Sequence, residues 1–232
     1  MRNILFKTFF YFGLSLISVV FLPALLLPKK IVLFGGRLFG HWSYICLKIF
    51  FSTKIIIHGK GNILNNNNFF IACSHQSIFE TFYLQTIFNS PFFILKKELM
   101  NIPIFGLYLK KIDSIVINRN KVTKENLNFI ERIRETMKKT KRPFVIFPQA
   151  TRVLPEERVP FKKGVGRIYK ELNVSCQPVA IDSGKVWPKN GVIVPNKTIK
   201  ISILKPIENG MGEKEFVNLL EKKIYSELDQ IS

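Results

Sequence analysis

The sequence predicts an α/β protein with a mixed, partly parallel central sheet flanked by helices and preceded by N-terminal membrane-associated helices. Three observations predict it. Short runs rich in β-branched and aromatic residues have the length of strands, and helical patterns separate several of them. The first 51 residues consist mostly of long apolar stretches. Alternation of strand and helix along a chain is typical of sheets with parallel neighbours.

The predicted strands are short apolar runs that end near turn-forming or charged residues. They cover 54–58, 69–72, 92–95, 114–117, 144–147, 177–181, 192–194 and 198–204. The predicted helices are 82–88, 124–139, 164–172 and 213–228. In the last of these, apolar residues recur every four positions, which indicates a helix with one buried face.

An apolar segment near the N-terminus predicts a membrane anchor. Residues 8–27 carry no charge, and about 20 apolar residues are needed to cross a hydrocarbon layer of ~30 Å as a helix. No small-residue cleavage pattern precedes Lys29, so a retained anchor is favoured over a signal peptide. Gly13 and Pro23 are both tolerated in membrane helices.

The next segment, residues 31–51, is apolar but carries Arg37, His41 and Lys48. On a helix these three lie within about 40° of one another. The stripe predicts a helix in the bilayer interface with its cations near lipid phosphates. The alternative is a core-packed helix with one solvated edge. We therefore predict an anchor and interfacial helix over 1–51 and an α/β domain over 52–232.

The charge pattern bears on location and partners. Basic residues outnumber acidic ones, 35 against 16, for a net charge of +19, which favours polyanions such as an anionic bilayer, a phosphorylated substrate or nucleic acid. Nucleic acid is disfavoured because the basic residues form no dense stripe with interleaved aromatics. More cations follow the anchor than precede it, which predicts a domain on the cytoplasmic side of the cell inner membrane or another membrane.

Metal and disulfide frameworks are not indicated by the cysteines. Cys46, Cys73 and Cys176 show no C-x-x-C spacing, which argues against a zinc site or a disulfide scaffold. We predict no metal, and a reducing compartment fits the pattern.

The stretch ACSHQSIFET, residues 72–81, holds a candidate catalytic pair. On one continuous helix His75 and Glu80 would lie about 140° apart, so they can meet only if His75 precedes the helix and Glu80 lies in its first turn. The capping-box pattern from Ser77 to Glu80 predicts such a start at Ser77. Glu80 then either accepts the Nδ1 hydrogen of His75, leaving Nε2 as a general base, or only caps the N–H of Ser77.

Cys73 offers a competing nucleophile. Residues two apart in an extended segment point the same way, which would place its thiol near His75. A Cys-His pair is one reading. A buried cysteine packed as a small apolar residue is the favoured one, because free cysteine is among the most buried residue types.

Two arginines follow predicted strands. Arg119 ends the run INRN, and Arg152 ends FPQATR, residues 147–152. Groups just beyond the carboxyl ends of strands line the ligand crevice of open α/β sheets, where arginines can hold a phosphate bidentately. Solvated loop arginines are the alternative.

Taken in order, these segments resemble the motifs of the glycerolipid acyltransferases, the family that contains 1-acylglycerol-3-phosphate acyltransferase. SHQSIFET resembles its H-x-x-x-x-D motif, and residues 96–119 resemble its second motif in their P-x-x-G step and terminal arginine. FPQATR resembles F-P-E-G-T-R and is followed by PFKKG, and QPVAIDSG, residues 177–184, resembles the fourth motif. The resemblance covers roughly residues 52–205.

The resemblance implies transfer of a fatty acyl group from a thioester to the free hydroxyl of 1-acylglycerol-3-phosphate, giving phosphatidic acid. Acyl-carrier protein or CoA would present the acyl group as co-substrate, with no further cofactor. His75 would be the general base and Glu80 would orient it. The residues implied to bind substrate are Lys96, Arg119, Gln149, Thr151 and Arg152.

Three positions depart from the family pattern. Glu80 stands where the family has Asp, Gln149 where it has Glu, and Ala150 where it has Gly, which disfavours a positive φ at that position. The acceptor therefore stays open to another lysolipid, such as lyso-ornithine lipid. A non-catalytic membrane-binding relative is the remaining alternative.

Overall fold

A computed structural model describes residues 1–66, 68–117 and 128–231. Within these residues, seven strands alternate with helices, which confirms the α/β class. In chain order the elements are α1 (Arg2–Val20), α2 (Lys29–Phe51), β1 (Lys54–His58), β2 (Phe69–Cys73), α3 (Phe79–Ile87), β3 (Phe92–Lys96), α4 (Phe105–Lys111), β4 (Ile115–Ile117), α5 (Phe129–Thr140), β5 (Phe144–Ile146), α6 (Lys163–Leu172), β6 (Ser175–Ile181), β7 (Thr198–Ile203) and α7 (Glu213–Ile231).

The chain divides into two compact units, each built from two stretches of sequence. The first contains Met1–Cys46 and Thr81–Phe144, and the second contains Leu47–Glu80 and Val145–Ser232. The division describes how compactly the chain packs and does not test function. The division into an anchor over residues 1–51 and an α/β domain over residues 52–232 therefore stays a prediction.

The first unit holds the N-terminal helices and the parallel pair β3 and β4, in which Ile94 lies opposite Ile115. The ring of Phe39 in α2 contacts Phe10 of α1 and Phe82 of α3, at centroid distances of 5.4 and 4.7 Å, and so links the three helices. A buried cluster of aromatic rings thus fixes α1 and α2 to the start of α3.

The helix α1 differs in position from the predicted span of residues 8–27. It ends at Val20, and Leu22–Leu25 form a short 3-10 turn. The cause is Pro23, which has no N–H to continue the helical ladder and disfavours a helical conformation in the residue before it. With 19 residues and only 17% of its apolar window buried, α1 is long and apolar enough to cross a membrane, which supports membrane association.

Two cations at α2 find protein partners. The guanidinium of Arg37 donates a hydrogen bond to Ser90 Oγ at 3.3 Å, and Lys29 forms an ion pair with Asp113. Of the stripe predicted along α2, His41 and Lys48 are exposed.

The second unit contains a mixed sheet in the order β1-β7-β6-β2-β5. β1 runs parallel to β7, β7 runs antiparallel to β6, and β6 runs parallel to β2. All of β2 is buried. Tyr169 of α6 stacks on Phe216 of α7 with ring centroids 3.8 Å apart, so these two helices share one apolar seam.

Two further differences from the predicted elements have local causes. Residues 192–194 form no strand, because the N–H of Val194 bonds the carbonyl of Val186 and Pro195 has no N–H to offer a ladder. The predicted helix 124–139 is described only from Phe129, where α5 begins, and its start at 124–127 lies outside the described residues.

Candidate active site

The pair His75 and Glu80 lies where β2 gives way to α3. β2 ends at Cys73, a turn follows, and α3 begins at Phe79. The hydroxyl of Ser77 accepts a hydrogen bond from the N–H of Phe79 at 3.2 Å, so this serine caps the start of the helix. His75 therefore lies before the helix and Glu80 in its first turn, the arrangement that the spacing predicts.

The carboxylate of Glu80 is fully buried, caps the turn before α3 and faces the imidazole of His75. Its Oε1 accepts hydrogen bonds from the N–H groups of Gln76 and Ser77, at 3.1 and 2.9 Å. The hydroxyl of Ser183 donates to the same oxygen. Its Oε2 accepts from Ser77 N–H at 3.0 Å and lies 3.4 Å from Nδ1 of His75. The extra methylene of glutamate lets one carboxylate fold back to the turn and still face the imidazole.

The distance between Glu80 Oε2 and His75 Nδ1 is longer than a hydrogen bond. Nδ1 is buried and makes no hydrogen bond to the described part of the chain. Catalytic hydrogen bonds are often long before substrate binds and tighten in the Michaelis complex. A carboxylate already fixed by donors from Gln76, Ser77 and Ser183 gives the imidazole a stationary acceptor.

The imidazole and peptide of His75 are fixed by the FPQATR segment, residues 147–152, and the residue after it. Its ring stacks on Phe147 with centroids 4.0 Å apart and planes 19° from parallel, leaving the side chain 16% exposed. The N–H of His75 donates to Oε1 of Gln149 at 2.9 Å, and its carbonyl accepts from Val153 N–H at 3.0 Å. The ring therefore has little freedom to turn away.

The end of β6 holds the same turn from another strand. The hydroxyl of Ser74 donates to the carbonyl of Ile181 at 3.1 Å and accepts from its N–H at 2.9 Å. The side chain of Gln76 accepts from Gly184 N–H at 3.2 Å. A Cβ on Gly184 would lie 2.8 Å from Cβ of Gln76, so this close approach requires glycine.

The other predicted site residues differ in where they lie. Thr151 is exposed and Arg152 half-buried in the turn after β5, whereas Gln149 is 1% exposed. Lys96 is exposed at the end of β3, in the first compact unit. Arg119 lies outside the described residues. Their predicted contacts with substrate stay predictions.

Ala150, which replaces the family's glycine, has φ of +61°. The positive φ that alanine disfavours is therefore present in this turn, in a conformation that glycine would adopt without strain.

Cys73 is unsuited to nucleophilic attack. Its side chain is fully buried. Burial raises the pKa of the thiol well above its ordinary value, and the charge of Glu80 raises that pKa further. A thiol must lose its proton to become a nucleophile, so this one stays inert at neutral pH.

Sequence reasoning did not assign roles to Gln76, Phe147 and Ser183, although all three contact the candidate pair. The available signal was position, because Phe147 and Ser183 follow the ends of β5 and β6, where ligand crevices form in α/β sheets. Among the described ranges, no group of three His, Cys, Asp or Glu side chains is arranged to hold a metal ion.

Residues 54–182, more than half of the chain, match the family model described as Acyltransferase. The chain belongs to this family. The matched residues include the His75 turn, Glu80, the FPQATR segment and the end of β6.

Several curated relatives carry the name 1-acyl-sn-glycerol-3-phosphate acyltransferase. The Pseudomonas aeruginosa protein is 29% identical over 143 residues, 62% of this chain and 55% of that protein. The Saccharomyces cerevisiae protein is 27% identical over 190 residues, covering 80% and 62%. The matches thus span little more than half the length of these two relatives. The Escherichia coli protein is 26% identical over 214 residues, covering 88% and 83%.

A solved structure shares the fold. The crystal structure of the 1-acyl-sn-glycerophosphate acyltransferase PlsC from Thermotoga maritima superposes with a TM-score of 0.82 and covers 100% of this chain and 97% of that one. Sequence identity is 21%, so the likeness concerns the fold.

Proposed function

We propose that this protein is an O-acyltransferase that moves a fatty acyl group from a thioester to the free hydroxyl of 1-acylglycerol-3-phosphate, giving phosphatidic acid for phospholipid synthesis. The observation that carries the proposal is the imidazole of His75 beside the buried carboxylate of Glu80, within the residues that match the acyltransferase family. The names of the curated relatives support the acceptor.

In the proposed reaction, Nε2 of His75 takes the proton of the acceptor hydroxyl as its oxygen attacks the thioester carbonyl carbon. A C–O bond forms, the tetrahedral intermediate collapses, and the C–S bond breaks. The departing thiolate receives the proton from His75, so the imidazole returns to its starting state. Glu80 holds the Nδ1–H tautomer and stabilises the imidazolium, as the carboxylate of a hydrolase triad does.

The phosphate of the acceptor is assigned to cationic and hydroxyl groups of the family motifs. Arg152 and Thr151 follow β5, and Arg152 can offer a bidentate contact. Lys96 and Arg119 belong to the second motif, and the resemblance to the family implies that they also contribute to substrate binding. Gln149 is proposed to act mainly on His75, because its side chain is buried and accepts the N–H of that residue.

The test is acyl transfer by the purified full chain in mixed micelles, with acyl-CoA and acyl-carrier protein as alternative donors and a panel of lysolipid acceptors. His75→Ala should abolish transfer, since a positioned base contributes about 10²- to 10⁴-fold. His58→Ala is the matched control, because His58 is an exposed histidine on β1 of the same unit. Its rate should equal that of the wild type.

Other results would change the proposal in defined ways. Turnover confined to another acceptor, such as lyso-ornithine lipid, would keep the chemistry and replace the substrate. A Cys73→Ser variant that folds and is inactive would assign the nucleophile to the thiol. Absence of turnover with both donors on every lysolipid would favour a non-catalytic membrane-binding relative.

A further inference from the structure

Residues 99–107 of the first compact unit expose four large apolar side chains. Leu99 is 37% exposed, Ile102 45%, Ile104 37% and Leu107 55%. Scattered apolar residues on a surface are ordinary, but several together mark a contact surface. We refer to these four side chains as the apolar patch.

The backbone under the apolar patch is strained. Ile104 has φ of +63° and ψ of −51°, and the N–H of Phe105 donates to the carbonyl of Pro103 at 2.6 Å. This is the strained form of the γ-turn, and it is especially unfavourable for a β-branched residue. Because Ile104 is exposed, burial of its own side chain does not offset the strain.

Close backbone packing holds this conformation. The N–H of Gly106 donates to the carbonyl of Ile102 at 2.9 Å. A Cβ on Gly106 would lie 2.1 Å from the carbonyl oxygen of Met100. The glycine of the P-x-x-G step is therefore required for the chain to close on itself, and the closed loop presents the apolar side chains outward.

Cations flank the apolar patch. Lys97 and Glu98 precede it and Lys110 follows it, all three exposed, while Lys111 is half-buried. The carboxylate of Asp113 is paired with Lys29 and Arg142. Three lysines against the single carboxylate of Glu98 therefore give the border of the patch a net positive charge. Apolar side chains with a cationic border complement an anionic phospholipid surface, where the first enter the acyl boundary and the second meet phosphates.

The apolar patch is joined to α1. The hydroxyl of Tyr108 donates to the carbonyl of Ser18 at 2.6 Å. On the same stretch of α1, Leu16, Val19 and Val20 are 51, 60 and 62% exposed. The patch and the apolar surface of the predicted anchor are therefore fixed to each other by a direct hydrogen bond.

We propose that residues 99–107 are a further membrane-contact segment, in addition to the interfacial helix predicted over residues 31–51, that inserts into the interface of an anionic phospholipid leaflet beside α1. A single membrane-crossing helix leaves a protein able to rotate about the helix axis. Each further contact fixed to that helix restricts the rotation. This inference does not depend on acyl transfer, so an inactive enzyme would leave it standing.

The experiment places a fluorophore on a single cysteine. All three native cysteines are buried, so an environment-sensitive thiol probe will react selectively with an introduced, exposed cysteine. The patch variant is Ile102→Cys. The matched control is Ile56→Cys on β1, because Ile56 is the same residue type at 44% exposure. The full chain is reconstituted in vesicles of phosphatidylethanolamine and phosphatidylglycerol that contain a doxyl-labelled lipid.

The probe at residue 102 should shift its emission to the blue and be quenched several-fold more than the probe at residue 56. Leu107→Cys should behave like Ile102→Cys, which guards against a local defect in one variant. Omitting phosphatidylglycerol should move both patch probes toward the emission seen in water, because the lysines lose their counter-charge.

Equal quenching at residues 102 and 56, or emission typical of water at both patch positions, would overturn the proposal. If the patch probes keep the emission typical of water on vesicles but are protected in cross-linked dimers, the partner of the patch is a second copy of this chain and not a lipid surface. Emission unaffected by phosphatidylglycerol would overturn the role of the cations.

Discussion

Replacing Ala150 with glycine should stabilise the protein. Ala150 follows Gln149 in the turn after β5 and has φ of +61°, a conformation in which its methyl group crowds the following carbonyl oxygen. The glycine variant keeps the turn and removes the crowding. The N–H of Ala150 donates to the carbonyl of Phe147 at 2.9 Å, and this bond is available to glycine as well.

The size of the effect follows from two opposing contributions. An L-residue in the left-handed region costs roughly 1–2 kcal/mol. Glycine restores flexibility to the unfolded chain, which costs about 0.4–1 kcal/mol. The net gain for Ala150→Gly is therefore about 1 kcal/mol. In a domain of this size, that corresponds to a rise in Tm of about 2–4 °C.

The assay is urea unfolding of the detergent-solubilised full chain, followed by circular dichroism, with the slope m compared between variants. Ala180→Gly is the control. Ala180 is a buried alanine in β6, where glycine only loses conformational entropy and packing, so this variant should be less stable than the wild type. A shift in midpoint without a change in m reports stability alone.

Ala150→Gly with unchanged or reduced stability would refute the reasoning. Such a result would mean that Ala150 does not have a positive φ in solution. The hydrogen bond from His75 N–H to Gln149 would then have to form with a different backbone conformation of the turn.

Three further predictions concern groups around the site. Ser183→Ala removes one donor to the buried carboxylate of Glu80. A hydrogen bond to a charged group is worth about 1.5–3 kcal/mol, so the free energy of unfolding should fall by that amount and the urea midpoint should fall with it; an unchanged midpoint would contradict the bond. Burial raises the pKa of Asp182 above its ordinary 3.8, so the folded state binds more protons than the unfolded state between these two pKa values. Stability should therefore fall as pH rises through that window, and Asp182→Asn should flatten the pH dependence of the urea midpoint; parallel curves would disprove the shift. Tyr225→Phe removes the hydrogen bond from the Tyr225 hydroxyl to the carbonyl of Val159, so the free energy of unfolding should fall by about 1 kcal/mol. Equal urea midpoints for the variant and the wild type would show that the bond contributes nothing to stability.

Local spacing was enough to predict the relation between His75 and Glu80. His75 lies in the turn before α3, and Glu80 lies in the first turn of that helix. The angular period of a helix and the capping preference of Ser77 therefore place the two side chains near each other without reference to the rest of the chain. The bounds of β1 were also predicted from local sequence, because a short run of β-branched isoleucines between charged residues is typical of a strand.

The contribution of Ser183 could not be predicted in this way. Its contact with Glu80 exists because β6 lies beside β2, although the two residues are 103 positions apart. The order of strands depends on which strands pair during folding. The alternation of apolar residues along one strand shows which face is buried but does not show which strand lies beside it. The end of α1 at Val20 was missed for a different reason. An uncharged run continues to residue 27, and only the backbone effect of Pro23 divides it.

The hydrogen bonds that tie Ser74 and Gln76 to Ile181 and Gly184 have a consequence for the timing of synthesis. Chains are made at about 5–20 residues per second, and about 160 residues separate the end of α1 from Ser183. The N-terminal helix thus leaves the ribosome on the order of 10 s before the last partner of Glu80 exists. If α1 is the predicted anchor, the nascent chain reaches a lipid surface during that interval, before Ser183 can bond Glu80. A product truncated before β6 would then be held at the membrane without the complete set of hydrogen bonds around Glu80.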